Sequence, residues 1–355
     1  MYNVIGAGLT GAVIARELYD AGHDVQIFEK SDHVGGMCYD KEMDGIMVCQ
    51  HGGHIFHTCG KFIWDWVNRF TNMIPYTHRV LACYNDTVFS FPVNLTTLYQ
   101  LYGVSTYIDL MTYLKRDIVP CDNPRTVEQY ALSVVGKRVY HMLIEGYTYK
   151  QWGVPASQLP ASIIKRIPLR MDVDDRFFND KYEGIPDRGY TKMIENIIGP
   201  IPVHFNRTIT RQSRLSNVIC TASLDEYFGY TFGILPYRSL RHEHDRLDCT
   251  VFGVASVNFT STDVPYTRIV EHKFFRPDKP VDHSIITTEY PVEFDGTNDR
   301  YYPIPLEDNM RLHKRYIEFM LMHDAYPAGR LGNYQYYNMD DAVKFGIDCA
   351  HKIIK

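Results

Sequence analysis

Glycines at positions 6, 8 and 11, with a carboxylate at position 29, carry the plainest chemical purpose in this chain. They stand in Val4-Ile5-Gly6-Ala7-Gly8-Leu9-Thr10-Gly11 and at the end of Asp24-Val25-Gln26-Ile27-Phe28-Glu29. Gly6 permits a tight turn, Gly8 lets backbone approach a pyrophosphate, and Gly11 lets a helix lie close on a sheet. The unpaired N–H groups at the start of that helix attract phosphate. Glu29 is placed to hydrogen-bond the ribose hydroxyls of an adenosine. Gly35-Gly36 follows soon after and permits a second close approach. A flavin adenine dinucleotide running past the first turn would use it, whereas a nicotinamide dinucleotide does not call for it. A plain glycine turn would leave the same trace.

Other stretches hold polar or aromatic chemistry. His51, His54 and His57 lie within seven residues of one another. Acidic or thiol partners at ligand spacing are lacking, so a polar loop over the cofactor is expected rather than a metal site. Gly146-Tyr147-Thr148-Tyr149-Lys150-Gln151-Trp152-Gly153 gathers three large rings in six residues. It reads equally as the end of a core helix and as a stacking wall for a base or sugar.

These residues need elements to hold them. Residues 4–5 and 24–29 read as strands around a helix that runs to about residue 21, with a short amphipathic helix over 61–70. Residues 80–84 and 87–92 form a hairpin around Asn85-Asp86, a turn pair of suitable chemistry. From about 95 to 149 the texture is helical, and Thr126-Val127-Glu128-Gln129 is a capping box. Helices are expected over 190–198, closed by Gly199-Pro200, over 306–323 and from 340 onward. Strands are expected over 203–205, 218–221, 250–258 and 268–275. The fold class expected is α/β: a Rossmann-like FAD-binding sheet, an inserted helical domain and an antiparallel-sheet domain. Residues 1–77, 186–228 and 304–355 would form the FAD-binding domain, and 95–165 the helical domain. The sheet or substrate domain would take 78–94, 166–185 and 229–303. Gly153 to Pro155 and Gly184 to Pro186 offer hinges for a lid.

Composition narrows the function classes. A net charge of −5 gives no global attraction to nucleic acid or to an anionic membrane, so an anionic ligand needs local arginines. No apolar run reaches the ~18–20 residues of a membrane span, and a secretory leader is not expected. Eight scattered cysteines without a CxxC pair read as reduced, mostly buried thiols of a cytoplasmic protein. Tyrosine is abundant, at 27 of 355 residues, which suits a site for sugars, bases and phosphates.

Gly-Tyr-Thr-x-Lys-Gln-Trp-Gly at 146–153, with Leu159-Pro160-Ala161 and Ile163-Ile164-Lys165-Arg166-Ile167-Pro168, resembles the UDP-galactopyranose mutase family. So do His54-Ile55-Phe56-His57-Thr58, Gly189-Tyr190-Thr191-Lys192, the run from Val264 to Lys273, Glu289-Tyr290-Pro291, Tyr301-Tyr302-Pro303 and Gly329-Arg330-Leu331. These occur in order through essentially the whole chain. The resemblance implies a flavin-dependent isomerase, with FAD active in its reduced form. It would interconvert UDP-galactopyranose and UDP-galactofuranose through a covalent flavin N5–sugar adduct, with no net redox change.

The resemblance also implies roles. Arg166, on a mobile loop, and Arg268 would hold the diphosphate, with Arg238 a third cation nearby. Tyr301 and Tyr336 would hydrogen-bond the diphosphate, Tyr147 would stack on uracil, and Trp152 would border the sugar. Phe177 stands where a family tyrosine is expected, and Asn338 where an aspartate is. His54, His57, Lys30, Thr221, Arg330 and Met339 would line the cofactor, His57 over the isoalloxazine. The expected partner is UDP-galactose, without nucleic acid or membrane, and homodimer formation stays an option. Two rivals share the scaffold. One is an FAD oxidoreductase of the amine-oxidase type, which needs a hydride-donating substrate and an apolar tunnel. The other is a non-catalytic binding protein, which needs neither flavin nor Arg166. A mutase acting on a related UDP-sugar is a nearer variant.

Overall fold

The computed structural model describes residues 1–165, 169–323 and 325–354. Their contacts divide into two units. The first comprises Met1–Pro75, Asp180–Tyr237 and Arg300–Lys355, and the second Tyr76–Asn179 and Arg238–Asp299.

The first unit is built on a parallel sheet. Strand β1 (Tyr2–Ile5) lies between β2 (Val25–Phe28) and the Val218–Cys220 strand, with Val203–His204 and Ala325–Pro327 at the edges. Val4, Ile27 and Ile219 are wholly buried, as strands covered on both faces require. Helix α1 (Leu9–Asp20) buries Leu9, Val13, Ile14 and Leu18, each contributing about 1.5–3 kcal/mol. It packs on the Tyr190–Ile198 and Met339–Ile354 helices. The latter approaches closely because Gly346 has no side chain, and a Cβ there would sit 2.8 Å from Val13 Cγ1.

The second unit carries a sheet in the order Tyr237–Leu247, Ser284–Glu293, Arg268–Glu271, Ser256–Phe259, Val80–Tyr84, Thr87–Phe91. All these pairings are antiparallel except the one between Ser256–Phe259 and Val80–Tyr84. The hairpin turns at Asn85 and Asp86 with φ of 46° and 62°, the two left-handed residues of a primed turn. Its helices include Leu95–Tyr102, Tyr107–Asp117, Val127–Val134 and Gly146–Trp152. Thr126 accepts from the Gln129 N–H, and the Gln129 side chain returns to the Thr126 N–H, so the capping box forms as expected.

Several expectations need correction. The strand expected over 250–258 occupies only Ser256–Phe259, and the one over 268–275 ends at Glu271, where a 3-10 turn takes His272–Phe275. Two long strands, Tyr237–Leu247 and Ser284–Glu293, carry no clear alternation in the sequence. The first is rich in Arg, His, Glu and Asp, and its form is set by ten residues of pairing with the second. Gly184–Pro186 is not a hinge. It lies in the middle strand of a three-stranded sheet, where a Gly184 Cβ would meet the Ile74 carbonyl at 2.9 Å. The thiols are less buried than expected: Cys38, Cys49 and Cys220 are buried, but Cys59 and Cys249 are exposed.

Candidate active site

At the end of β1, Gly6 turns the chain with φ 101°, and a Cβ there would lie 2.3 Å from Thr221 Oγ1. Thr221 is held in place because its N–H and Oγ1 both donate to the Ile5 carbonyl, at 3.0 and 2.6 Å. Gly11 is tighter still, since a Cβ would fall 2.0 Å from the Gly6 carbonyl oxygen. Helix α1 starts at Gly8, which supplies no side-chain cap, and no acidic residue stands in the first turn. Its first N–H groups and the positive end of the helix are therefore presented to an anion. Gly35 and Gly36, both at positive φ, pack on Gly8: the Gly35 N–H donates to Ala7 O at 3.0 Å, and a Gly36 Cβ would meet Gly8 Cα at 3.1 Å.

Glu29 is buried and tied to this loop. Its Oε2 accepts from the Ala7 N–H at 2.7 Å, and its Oε1 from the Ser31 N–H and Oγ at 2.9 and 2.7 Å. The carboxylate thus braces the glycine turn as well as ending β2. Glu29→Gln should weaken binding of the dinucleotide expected there by about tenfold, the equivalent of ~1.4 kcal/mol. Titrating apoprotein with FAD checks this, and an unchanged affinity would leave the carboxylate a purely internal brace.

Further expected site residues lie in the first unit. Gly329, with φ 70°, packs on Thr10 and Thr221 and leads into Arg330. Arg330 donates to the Tyr301 carbonyl at 2.7 Å, lies 4.7 Å over the Tyr336 ring, and opposes the burial that pushes the Cys38 thiol up to about 12. Tyr336 stacks on Tyr302, and the Tyr301 hydroxyl meets His51 Nδ1 at 2.5 Å. Met339 opens the last helix and Lys30 is exposed after β2. His54 meets the Gly52 carbonyl through Nδ1, and its own carbonyl accepts from the Tyr190 hydroxyl. His57 Nδ1 lies 2.7 Å from Asp180 Oδ2. Burial and then the charge of Asp341 push the Asp340 carboxyl up, against a smaller lowering by His57.

The second unit holds another group. The Arg268 guanidinium lies 3.5 Å from buried Glu289, its register partner on the neighbouring strand, and reaches the Tyr147 hydroxyl at 3.4 Å. Trp152 ends the same helix as Tyr147 and is buried. Arg238 closes that helix, donating to the Lys150 and Gln151 carbonyls at 3.1 and 3.3 Å beside left-handed Gly153. Burial lowers its pKa, and the helix-end carbonyls stabilise its charge. Phe177 packs elsewhere, against His78, Phe91 and Phe178.

The expected site residues therefore fall into two sets. Gly6, Gly8, Gly11, Glu29, Gly35, Gly36, Thr221 and Arg330 converge in the first unit, with Tyr301 and Tyr336 beside them. Tyr147 and Arg268 meet in the second, and Phe177 joins an aromatic cluster instead. Arg166 lies outside the described residues. Asp180, Glu289 and Lys150 carry site geometry that the sequence did not single out. Glu289 at least stands in the Glu-Tyr-Pro stretch, whereas strand register alone puts it behind Arg268.

Comparison with known proteins adds to this picture. The family model described as UDP-galactopyranose mutase matches residues 142–336, and the NAD(P)-binding Rossmann-like domain matches 4–70. The chain is 37% identical to the probable UDP-galactopyranose mutase of Klebsiella pneumoniae, over 99% of this chain and 94% of that protein. It is 33% identical to the dTDP-fucopyranose mutase of Escherichia coli, over 99% and 98%. A crystal structure of reduced UDP-galactopyranose mutase superposes with a TM-score of 0.78 at 16% identity, covering 99% of this chain and 95% of that one.

Proposed function

Since the chain belongs to the UDP-galactopyranose mutase family, we propose that it interconverts UDP-galactopyranose and UDP-galactofuranose, holding FAD on its first unit. It is a flavin-dependent isomerase. The observation that carries the substrate assignment is the Arg268–Tyr147 pair backed by buried Glu289. A guanidinium aimed beside a phenol suits an anionic nucleotide, not the apolar substrate of an amine-oxidase type enzyme.

The cofactor fits the residues present. An uncapped helix start, glycines at 6, 11, 35 and 36 where a Cβ would be crowded, and a buried acid at the end of β2 together make a dinucleotide cradle. Reduced FAD, bound there, supplies the nucleophile for the anomeric carbon and consumes no electrons over the cycle. The chain's own residues do the rest. Gly8 and the first turn of α1 bind the cofactor pyrophosphate, and Glu29 its ribose. Arg330 contacts the flavin. Arg268 and Arg166 bind the diphosphate and stabilise the charge that develops as UDP leaves. Tyr301 and Tyr336 add hydroxyl donors, Tyr147 takes the uracil ring, and Trp152 borders the sugar. Asp180 orients the His57 ring over the cofactor.

The test is direct. The purified protein should show a flavin band and convert UDP-galactofuranose to UDP-galactopyranose once dithionite is present, as followed by chromatography. Arg166→Ala should nearly abolish this turnover while flavin stays bound, and surviving turnover would remove Arg166 from the reaction. The dTDP-fucopyranose mutase relative supports a second substrate, so dTDP-fucofuranose belongs in the same assay. Faster turnover of that sugar would replace the UDP-galactose assignment. Absence of flavin would overturn the whole reading.

A further inference from the structure

Lys150 has an environment that the assigned roles do not use. Its Nζ donates to four backbone carbonyls, of Ser261 at 2.6 Å, Tyr266 at 2.8 Å, Phe259 at 2.9 Å and Val264 at 3.2 Å. An ammonium has three protons, so four oxygens on this centre share all of its donor capacity. Asp263 attracts it from the same loop, and burial lowers its pKa to about 8. At neutral pH it is mostly charged, as four carbonyl dipoles require. Carbonyl oxygens turned inward on one cation form a cage like those that proteins build around metal ions, and here the cation is a side chain.

The cage closes a circuit of contacts. Lys150 belongs to the Gly146–Trp152 helix, one turn from Tyr147. The 259–266 loop that it organises leads straight into the Arg268–Glu271 strand. Arg268 returns to the Tyr147 hydroxyl. The helix also approaches the loop closely at Gly146, where a Cβ would lie 2.4 Å from the Thr260 carbonyl. From the other side, Arg238 holds the Lys150 and Gln151 carbonyls. Tyr147 and Arg268 are 121 residues apart in sequence, and among the contacts described the Lys150 ammonium is the fixed centre joining their two segments.

We propose that Lys150 is a positioning residue of the nucleotide surface, setting the Tyr147 ring and the Arg268 guanidinium at the separation that one nucleoside diphosphate spans. This rests on the assignment of Tyr147 and Arg268 to the nucleotide. Lys150 touches no ligand in this role. Its charge orders the backbone that presents the two groups, and an uncharged side chain of equal length would leave four carbonyls facing a methyl group.

The experiment uses FAD-loaded protein and UDP. Calorimetric titration of Lys150→Ala should give a Kd for UDP at least tenfold above wild type, with flavin content unchanged. In turnover assays KM should rise far more than kcat falls. Added n-propylammonium should restore UDP affinity to within about threefold of wild type, while n-propanol should not. A folded variant that binds UDP as wild type does, or rescue by both additives alike, would overturn the proposal. Should the variant fail to fold, amide exchange on wild-type protein decides. UDP should protect residues 146–152 and 259–266 together, and protection of the helix alone would overturn the coupling. Wild-type protein that does not bind UDP at all would instead refute the nucleotide assignment, leaving the Lys150 cage a feature of the fold.

Discussion

Gly11→Ala should yield a protein that purifies without flavin and melts well below wild type. The added Cβ would sit 2.0 Å from the Gly6 carbonyl oxygen, a distance no pair of heavy atoms accepts. Neither side can yield easily. Gly6 is fixed by its N–H bond to the Phe28 carbonyl at 2.8 Å and by Thr221 against it. Helix α1 is held by the Met339–Ile354 helix, which packs so closely that a Cβ on Gly346 would fall 2.8 Å from Val13 Cγ1. Overpacking of this kind costs about 1–3 kcal/mol, occasionally more, so a fall of roughly 1–4 °C in Tm is expected from packing alone, and loss of the bound cofactor lowers Tm further. The loss of flavin is expected to be the larger effect, because moving α1 displaces the N–H groups proposed to meet the pyrophosphate. Absorbance near the flavin band relative to protein, with melting curves in excess FAD, reads both. Gly22→Ala is the control. Its φ of 85° strains an alanine, but its Cβ would meet nothing within 4 Å, so flavin should be retained. Full flavin occupancy in Gly11→Ala would show that the glycine turn does not position the cofactor.

Arg268→Ala should lower kcat/KM by about two to four orders of magnitude with FAD still bound. The estimate takes two charge-assisted hydrogen bonds to phosphate at ~1.5–3 kcal/mol each, lost mainly where charge develops on the departing diphosphate. The substitution carries a stability cost as well. Glu289 is buried behind the guanidinium, and removing the cation that faces it leaves its charge less well compensated, which lowers stability. The double substitution Arg268→Ala with Glu289→Gln separates the two effects. It should recover most of the lost Tm and none of the lost turnover. Recovery of turnover alongside stability would reduce Arg268 to a structural partner of Glu289. Arg268→Lys should fall between, since an ammonium keeps the charge but not the bidentate fork.

These two expectations stand differently toward the sequence. The first was visible in it, because Gly6, Gly8, Gly11 and Glu29 form one local run whose spacing dictates strand, turn, helix and strand. The boundaries followed: α1, the Tyr190–Ile198 helix and the Asn85-Asp86 hairpin lie where periodicity and turn chemistry put them. Arg268 was picked out only by resemblance to a family, and nothing near it in the chain marks Glu289 as its partner.

By itself the sequence determined the glycine turn with its flanking strands and helix, the α/β class and the likeness to a family, because each rests on residue types and spacings that are local in the chain. Tertiary structure decided the rest. Strand register put Glu289 behind Arg268, and a paired middle strand removed the hinge expected at Gly184–Pro186. A charged strand, Tyr237–Leu247, formed through its partner rather than through its own alternation. Four carbonyls from a loop more than a hundred residues away closed on Lys150. Backbone oxygens are the same in every sequence, so only the path of the folded chain decides which cation they surround.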